Sequence, residues 1–127
     1  MNARYVLASA LMSGFLLTQV VQAEPPRNVQ SEVNLLLATI ESSGCEFYRN
    51  GSWHDPKAAT AHLRDKLDYL VARNLVNTTE EFIERAATQS SLSGQPYEVK
   101  CADKPPVASN QWLRERLAYF RTHERRH

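Results

Sequence analysis

Cys45 and Cys101 are the chain's two cysteines, and both follow an apolar run that reads as an export signal. In an oxidising compartment such a pair is read as a structural disulfide, the alternative being two separate thiols. The bond would close a loop of about 57 residues, contributing on the order of 4 kcal/mol on the chain-entropy model. That is a large share of the roughly 5 to 10 kcal/mol expected for a small domain. Neither cysteine lies in a CxxC, so the sequence offers no redox motif for a reactive thiol.

The compartment argument rests on residues 1–23. Arg4 supplies a short positive region, "YVLASALMSGFLLTQVV" carries no charge, and "VQA" ends at Ala23 in a pattern signal peptidase accepts. The run is short for a membrane span of about 20 residues, so cleavage is expected and no stable membrane anchor should remain. Glu24, where a lipoprotein needs cysteine, closes the acylation route.

Removing 23 of the 127 residues leaves 104, enough for one small domain and too few for two. Without Arg4 the 15 Lys plus Arg fall to 14, which matches the 14 Asp plus Glu. A neutral chain argues against nucleic acid as partner. A hydrophobic fraction of 43% suits a packed core and excludes disorder.

Local signals divide the mature chain. Residues 24–30, "EPPRNVQ", read as a flexible leader. Helix one is predicted from Ser31, with Val33, Leu36, Leu37 and Ile40 on one face and Gly44 closing it. In "FYRNGSWHD", Asn50-Gly51 predicts a hairpin with a type I′ turn. Phe47 and Arg49 then share one face of its first strand, Glu46 and Tyr48 the other. Asp55 as N-cap with Pro56 at N1 starts helix two, which can run to Arg73 or Asn74. Thr78 and Glu81 form a capping box for helix three, burying Phe82, Ile83 and Ala86. "TQSSLSGQP" is a loop, and "YEVKC" is a strand expected to pair with the hairpin and bring Cys101 to Cys45. "ADKPPVAS" is a stiff connector, Ser109 can cap helix four, which runs to Thr122, and residues 123–127 should fray as a basic tail. The expected fold is a single α+β domain over residues 31–122. It has four helices around a small antiparallel three-stranded sheet (hairpin plus one strand), held by one disulfide.

The blocks "FYRNG", "AHLRDKL" and "TTEEFIERAATQSSLSGQPYEVK", in that order and spacing, resemble the YfeK-like family of small exported bacterial proteins of unknown function. The resemblance spans roughly Ile40 to Lys100. It implies a periplasmic location and a single small domain, and it assigns no reaction.

Helix two carries the residues of most interest. Ala59, Leu63, Leu67, Leu70 and Val71 fill one arc, with Lys66 at its edge and His62 one turn away. Lys66 must snorkel to water, pair with Glu41 or Glu81, or share a site with His62. Arg49, on the adjoining hairpin, is placed to approach both, and the serine loop would present Ser90, Ser91, Ser93 and the Tyr97 hydroxyl. Guanidinium, ammonium and hydroxyls in one cleft suit a carboxylate or phosphate. The expected binding groove is therefore Arg49, His62, Lys66, Ser90, Ser91 and Tyr97. Its occupant would be an envelope protein or an anionic envelope component such as a peptidoglycan fragment. The bland reading is that Arg49 pairs with a carboxylate and the serines satisfy loop backbone. A small hydrolase using Ser91 and His62, with Glu81 as the acid, is the alternative, although no GxSxG elbow supports it. His54 and His62 make no HExxH pattern, so neither metal nor cofactor is expected. On helix four, Trp112, Arg116 and Tyr119 read either as core, with Arg116 stacked on Trp112, or as a surface docking a partner protein.

Overall fold

The computed structural model describes residues 9–16 and 24–124. Most of the expected export signal, and residues 125–127 of the tail, lie outside the described residues; 9–16 form no helix or strand. The elements run α1 (Arg27–Ser42), β1 (Glu46–Arg49), β2 (Ser52–His54), α2 (Pro56–Val71), α3 (Thr79–Ala86), β3 (Glu98–Lys100), β4 (Val107–Ala108) and α4 (Ser109–Glu124).

α1 begins a full turn before Ser31, so most of the supposed leader is helix. The apolar stripe explains this: Val29 stands four residues before Val33 and is buried with it. Gly44 takes the expected left-handed conformation (φ 68°) after the helix. In α2, Asp55 accepts the Ala58 N–H at 2.7 Å, and Pro56 occupies the first helical position. The regular helix stops at Val71, earlier than expected. The chain leaves through a Schellman turn, Asn74 (φ 57°) being left-handed and Leu75 N–H returning to the Leu70 carbonyl at 3.0 Å. Thr78 caps α3 as predicted, accepting the Glu81 N–H at 3.1 Å; the Glu81 carboxylate reaches back to the Asn77 N–H at 3.4 Å.

The sheet is antiparallel throughout, in the order β2-β1-β3-β4. The hairpin and its pairing with β3 are as expected, with Asn50 and Gly51 both at positive φ in the turn. The sheet has four strands where three were expected. Val107 pairs with Val99 and Ala108 with Glu98, directly after the proline pair that keeps the connector extended. Pairing of Glu46 with Lys100 sets Cys45 and Cys101 opposite each other at the ladder's next step, and they are disulfide-bonded. α4 starts at Ser109, whose backbone N–H donates to the Tyr97 carbonyl at 2.9 Å, and it runs on through His123 and Glu124.

The core is shared by all layers: Leu36, Leu37 and Ile40 of α1, Phe82 and Ile83 of α3, Val99 of β3 and Leu113 of α4 are almost fully buried. Trp112 is also core, packed edge-on against Phe47, with the Arg116 guanidinium 5.2 Å from the ring centre. The docking surface considered for helix four is therefore not built on Trp112, because the largest of its aromatics faces inward. Tyr119 is exposed and stacks on His123. A native disulfide points to a non-cytoplasmic environment. No helix among the described residues is long and apolar enough to cross a membrane.

Candidate functional site

Strand alternation builds the floor of the site. Phe47 and Arg49 leave β1 on one face; His54 and Ser52 stand directly opposite them on β2, and Val99 opposite Phe47 on β3. Tyr97, one step beyond the Tyr48–Glu98 pair, continues that face beside Arg49. α2 lies over it. Ala59, His62 and Leu63 line a cavity of about 30 Å³ with Phe47, Arg49 and Tyr97. Glu98 also borders the cavity, but alternation turns its carboxylate to the opposite face.

Tyr97 joins the two helix-two residues. Its hydroxyl lies 3.2 Å from His62 Nε2 and accepts from Lys66 Nζ, also at 3.2 Å. Lys66 Nζ donates a second bond to the Gln89 carbonyl at 3.2 Å. Of the roles open to Lys66, pairing with Glu41 or Glu81 does not occur, and it shares a centre with His62 through the tyrosine. Among the described residues, none of Arg49, His62 and Lys66 is ion-paired with a carboxylate.

The electrostatics follow from that arrangement. Burial holds His62 below its ordinary value of 6.5, and the charges of Arg49 and Lys66 push it further; Asp65 opposes them weakly. Burial, then Arg49, lowers Lys66. Burial raises Tyr97, so the phenol keeps its proton, with Arg49 pulling the other way. At neutral pH the Lys66 ammonium donates to the Tyr97 oxygen, and the Tyr97 hydroxyl shares a hydrogen bond with Nε2 of His62. Arg49 is near enough for its charge to act on all three groups; it lines the cavity with His62 and Tyr97, while Lys66 lines a separate, open cleft.

The serines divide. Ser91 is exposed and lines a second, open cleft with Asp65, Lys66, Tyr69 and Arg85. Ser90 is buried, and its Oγ accepts the N–H groups of Leu92 and Ser93 at 3.2 and 3.3 Å. Its lone pairs are used by its own loop, so Ser90 does not present to a ligand as expected. Ser93 Oγ donates to Asn50 Oδ1 at 2.6 Å, tying the serine loop to the hairpin turn. The hydrolase constellation is not assembled: His62 bonds Tyr97 rather than Ser91, and Glu81 is held by Asn77 N–H and Arg85. Among the described residues no group of three or more His, Cys, Asp or Glu side chains is gathered as for a metal ion.

A model of DUF5329, a family of unknown function, matches residues 27–121. The chain belongs to this family. It is also 36% identical over 83 residues to "Uncharacterized protein YfeK" of Salmonella typhimurium, an alignment covering 65% of this chain and 68% of the relative. No solved structure matches. The DUF5329 match runs from the first residue of α1 to the last turn of α4. It therefore takes in both cysteines and helix four, which the blocks resembling YfeK did not reach.

Two participants escaped the sequence reading. His54 adds its charge to those that depress His62; the hairpin register, which sets it opposite Phe47, was the signal that could have found it. The Gln89 carbonyl is backbone, and nothing in a residue type announces it.

Proposed function

We propose that this DUF5329 domain is an exported, periplasmic binding module that accepts an anionic group at Arg49, His62, Lys66 and Tyr97. The observation that carries the reading is that Arg49 and Lys66 border one histidine and one tyrosine and that, among the described residues, neither is ion-paired with a carboxylate. Burial first, and the charge of Arg49 after it, lower the proton affinity of His62 and Lys66, a standing cost that an incoming carboxylate or phosphate would in part relieve. Guanidinium, ammonium and phenol are the donors such a group needs. The cavity of about 30 Å³ beside Arg49, His62 and Tyr97 is too small for a sugar ring, so only a small charged head can approach its mouth, with Lys66 on the adjoining open cleft. The ligand is thus the anionic end of something larger, an envelope component or an acidic segment of an envelope protein.

Binding should be linked to protons. An anion beside His62 raises its proton affinity, so complex formation near pH 6 takes up protons. Calorimetry with inorganic phosphate and with muropeptides, in buffers of differing ionisation enthalpy, measures both affinity and uptake. Arg49→Ala is expected to abolish the heat and to prevent capture of envelope material by crosslinking. Wild-type protein giving no heat with any of these anions at millimolar concentration would overturn the reading.

A further inference from the structure

Leu92 is 94% exposed, the most exposed large apolar side chain between residues 24 and 124. It stands at the apex of the loop joining α3 to β3, and that loop is braced. Besides the two bonds to Ser90 Oγ and the Ser93–Asn50 bond, Gly94 N–H returns to the Ser90 carbonyl at 2.9 Å. A slack loop would let the leucine fold back onto apolar surface; this one holds it in water.

The same loop borders the cations. Gln89 holds Lys66, Ser91 lines the open cleft with Lys66 and Tyr69, and Asn50, bonded to Ser93, directly follows Arg49. Tyr69 is exposed, with the Arg73 guanidinium 3.5 Å from its ring. A presented leucine, an amphipathic tyrosine and cations without carboxylate partners are what a protein sets at the water–lipid boundary. We propose that this face docks on an anionic phospholipid bilayer, with Leu92 entering the acyl boundary while Arg49 and Lys66 receive a lipid phosphate. The proposal rests on the anion-site reading and names its ligand. Attachment is weak and reversible, because Asp65 shares the cleft and Glu81 partly takes the charge of Arg85.

The test uses the mature chain with vesicles of phosphatidylglycerol and phosphatidylcholine, against vesicles of phosphatidylcholine alone. A parallel NMR titration uses inorganic phosphate. Co-sedimentation is expected only with the anionic vesicles. Leu92→Ser should weaken it by about tenfold or more and leave the phosphate titration unchanged. Arg49→Ala should abolish the phosphate shifts and lower vesicle affinity by about fivefold. Phosphate binding without vesicle binding overturns the lipid proposal and spares the anion site; absence of both removes both. Vesicle binding that Leu92→Ser leaves intact is electrostatic adsorption alone and also overturns it.

Discussion

Two clusters of charge sit where helices meet other elements, and they are built in opposite ways. In one, Arg121 of α4 bonds Glu32 of α1 at 2.8 and 3.1 Å and also Glu80 of α3, while Thr79 donates to Glu32 at 2.7 Å. The cation is answered twice. Bonds to Arg121 hold both carboxyls below their ordinary range and raise Arg121 itself. In the other, Arg49, His62 and Lys66 crowd one tyrosine, Asp65 acts only weakly on His62, and none of the three is ion-paired among the described residues. The first cluster ties three helices and is complete. The second is electrostatically unfinished, and a group that stability does not require is free to serve binding.

The largest effect should come from the disulfide that joins the ends of β1 and β3. Cys45→Ser with Cys101→Ser is expected to cost about 4 kcal/mol, seen as a fall of roughly 15 to 30 °C in thermal midpoint. It unties the ends of the two strands that carry Arg49 and lead from Tyr97. If the unstapled protein kept wild-type stability and anion affinity, neither cluster would depend on the framework described.

Arg121→Ala comes next, at about 2 kcal/mol, because it leaves Glu32 half-buried beside Thr79 without its cation. The folded carboxyls titrate below 4.5, so their stabilisation is fully present above that pH and is lost as pH falls through the folded values. Wild-type and Arg121→Ala melting curves, well separated at pH 7, should converge in acid. Anion binding should be unchanged, since Arg121 shares no partner with the other cluster. A matching loss of binding would mean that the two are coupled.

The contrast also marks what a sequence exposes. The hairpin and the caps of α2 and α3 are written in residues close in sequence: Asn50-Gly51, Asp55-Pro56, Thr78 with Glu81. The pairing of Cys45 with Cys101 followed instead from there being two cysteines behind an expected export signal. The proximity of His62 to Lys66 was legible from spacing, since the two are one helical turn apart. Ser90 misled because a hydroxyl was counted as free where the loop backbone needed it. β4 is two residues after a proline pair and has no pattern of its own. The Arg121 clasp joins residues from three helices that only the finished packing assembles; an arginine and two glutamates far apart in sequence carry no sign of one another.

Tyr97→Phe is expected to cost about 1 kcal/mol. It removes the hydroxyl that accepts from Lys66 and bonds His62 while leaving the ring in place. Lys66 keeps the Gln89 carbonyl, so the loss is of one link. Anion affinity should fall severalfold, measured by calorimetry, because the phenol no longer sets the lysine's position. An unaltered affinity would make Tyr97 packing only.

Arg49→Ala should change stability least, by about 0.5 kcal/mol or less, and it separates the clusters most sharply. Arg49 has no ion pair to lose among the described residues, and its charge opposes protonation of both His62 and Lys66. In the folded state His62 titrates below 6.5, so its contribution is harmless above that pH. Stability declines as pH falls from there through the folded value, where the unfolded chain binds the proton more readily. Removing Arg49 moves the folded value up toward 6.5 and flattens that decline. An NMR titration of the His62 ring should show the upward shift, and acid melting should show a variant at least as stable as wild type. A downward shift, or a large loss of stability at neutral pH, would make Arg49 a structural residue like Arg121 and leave the second cluster as complete as the first.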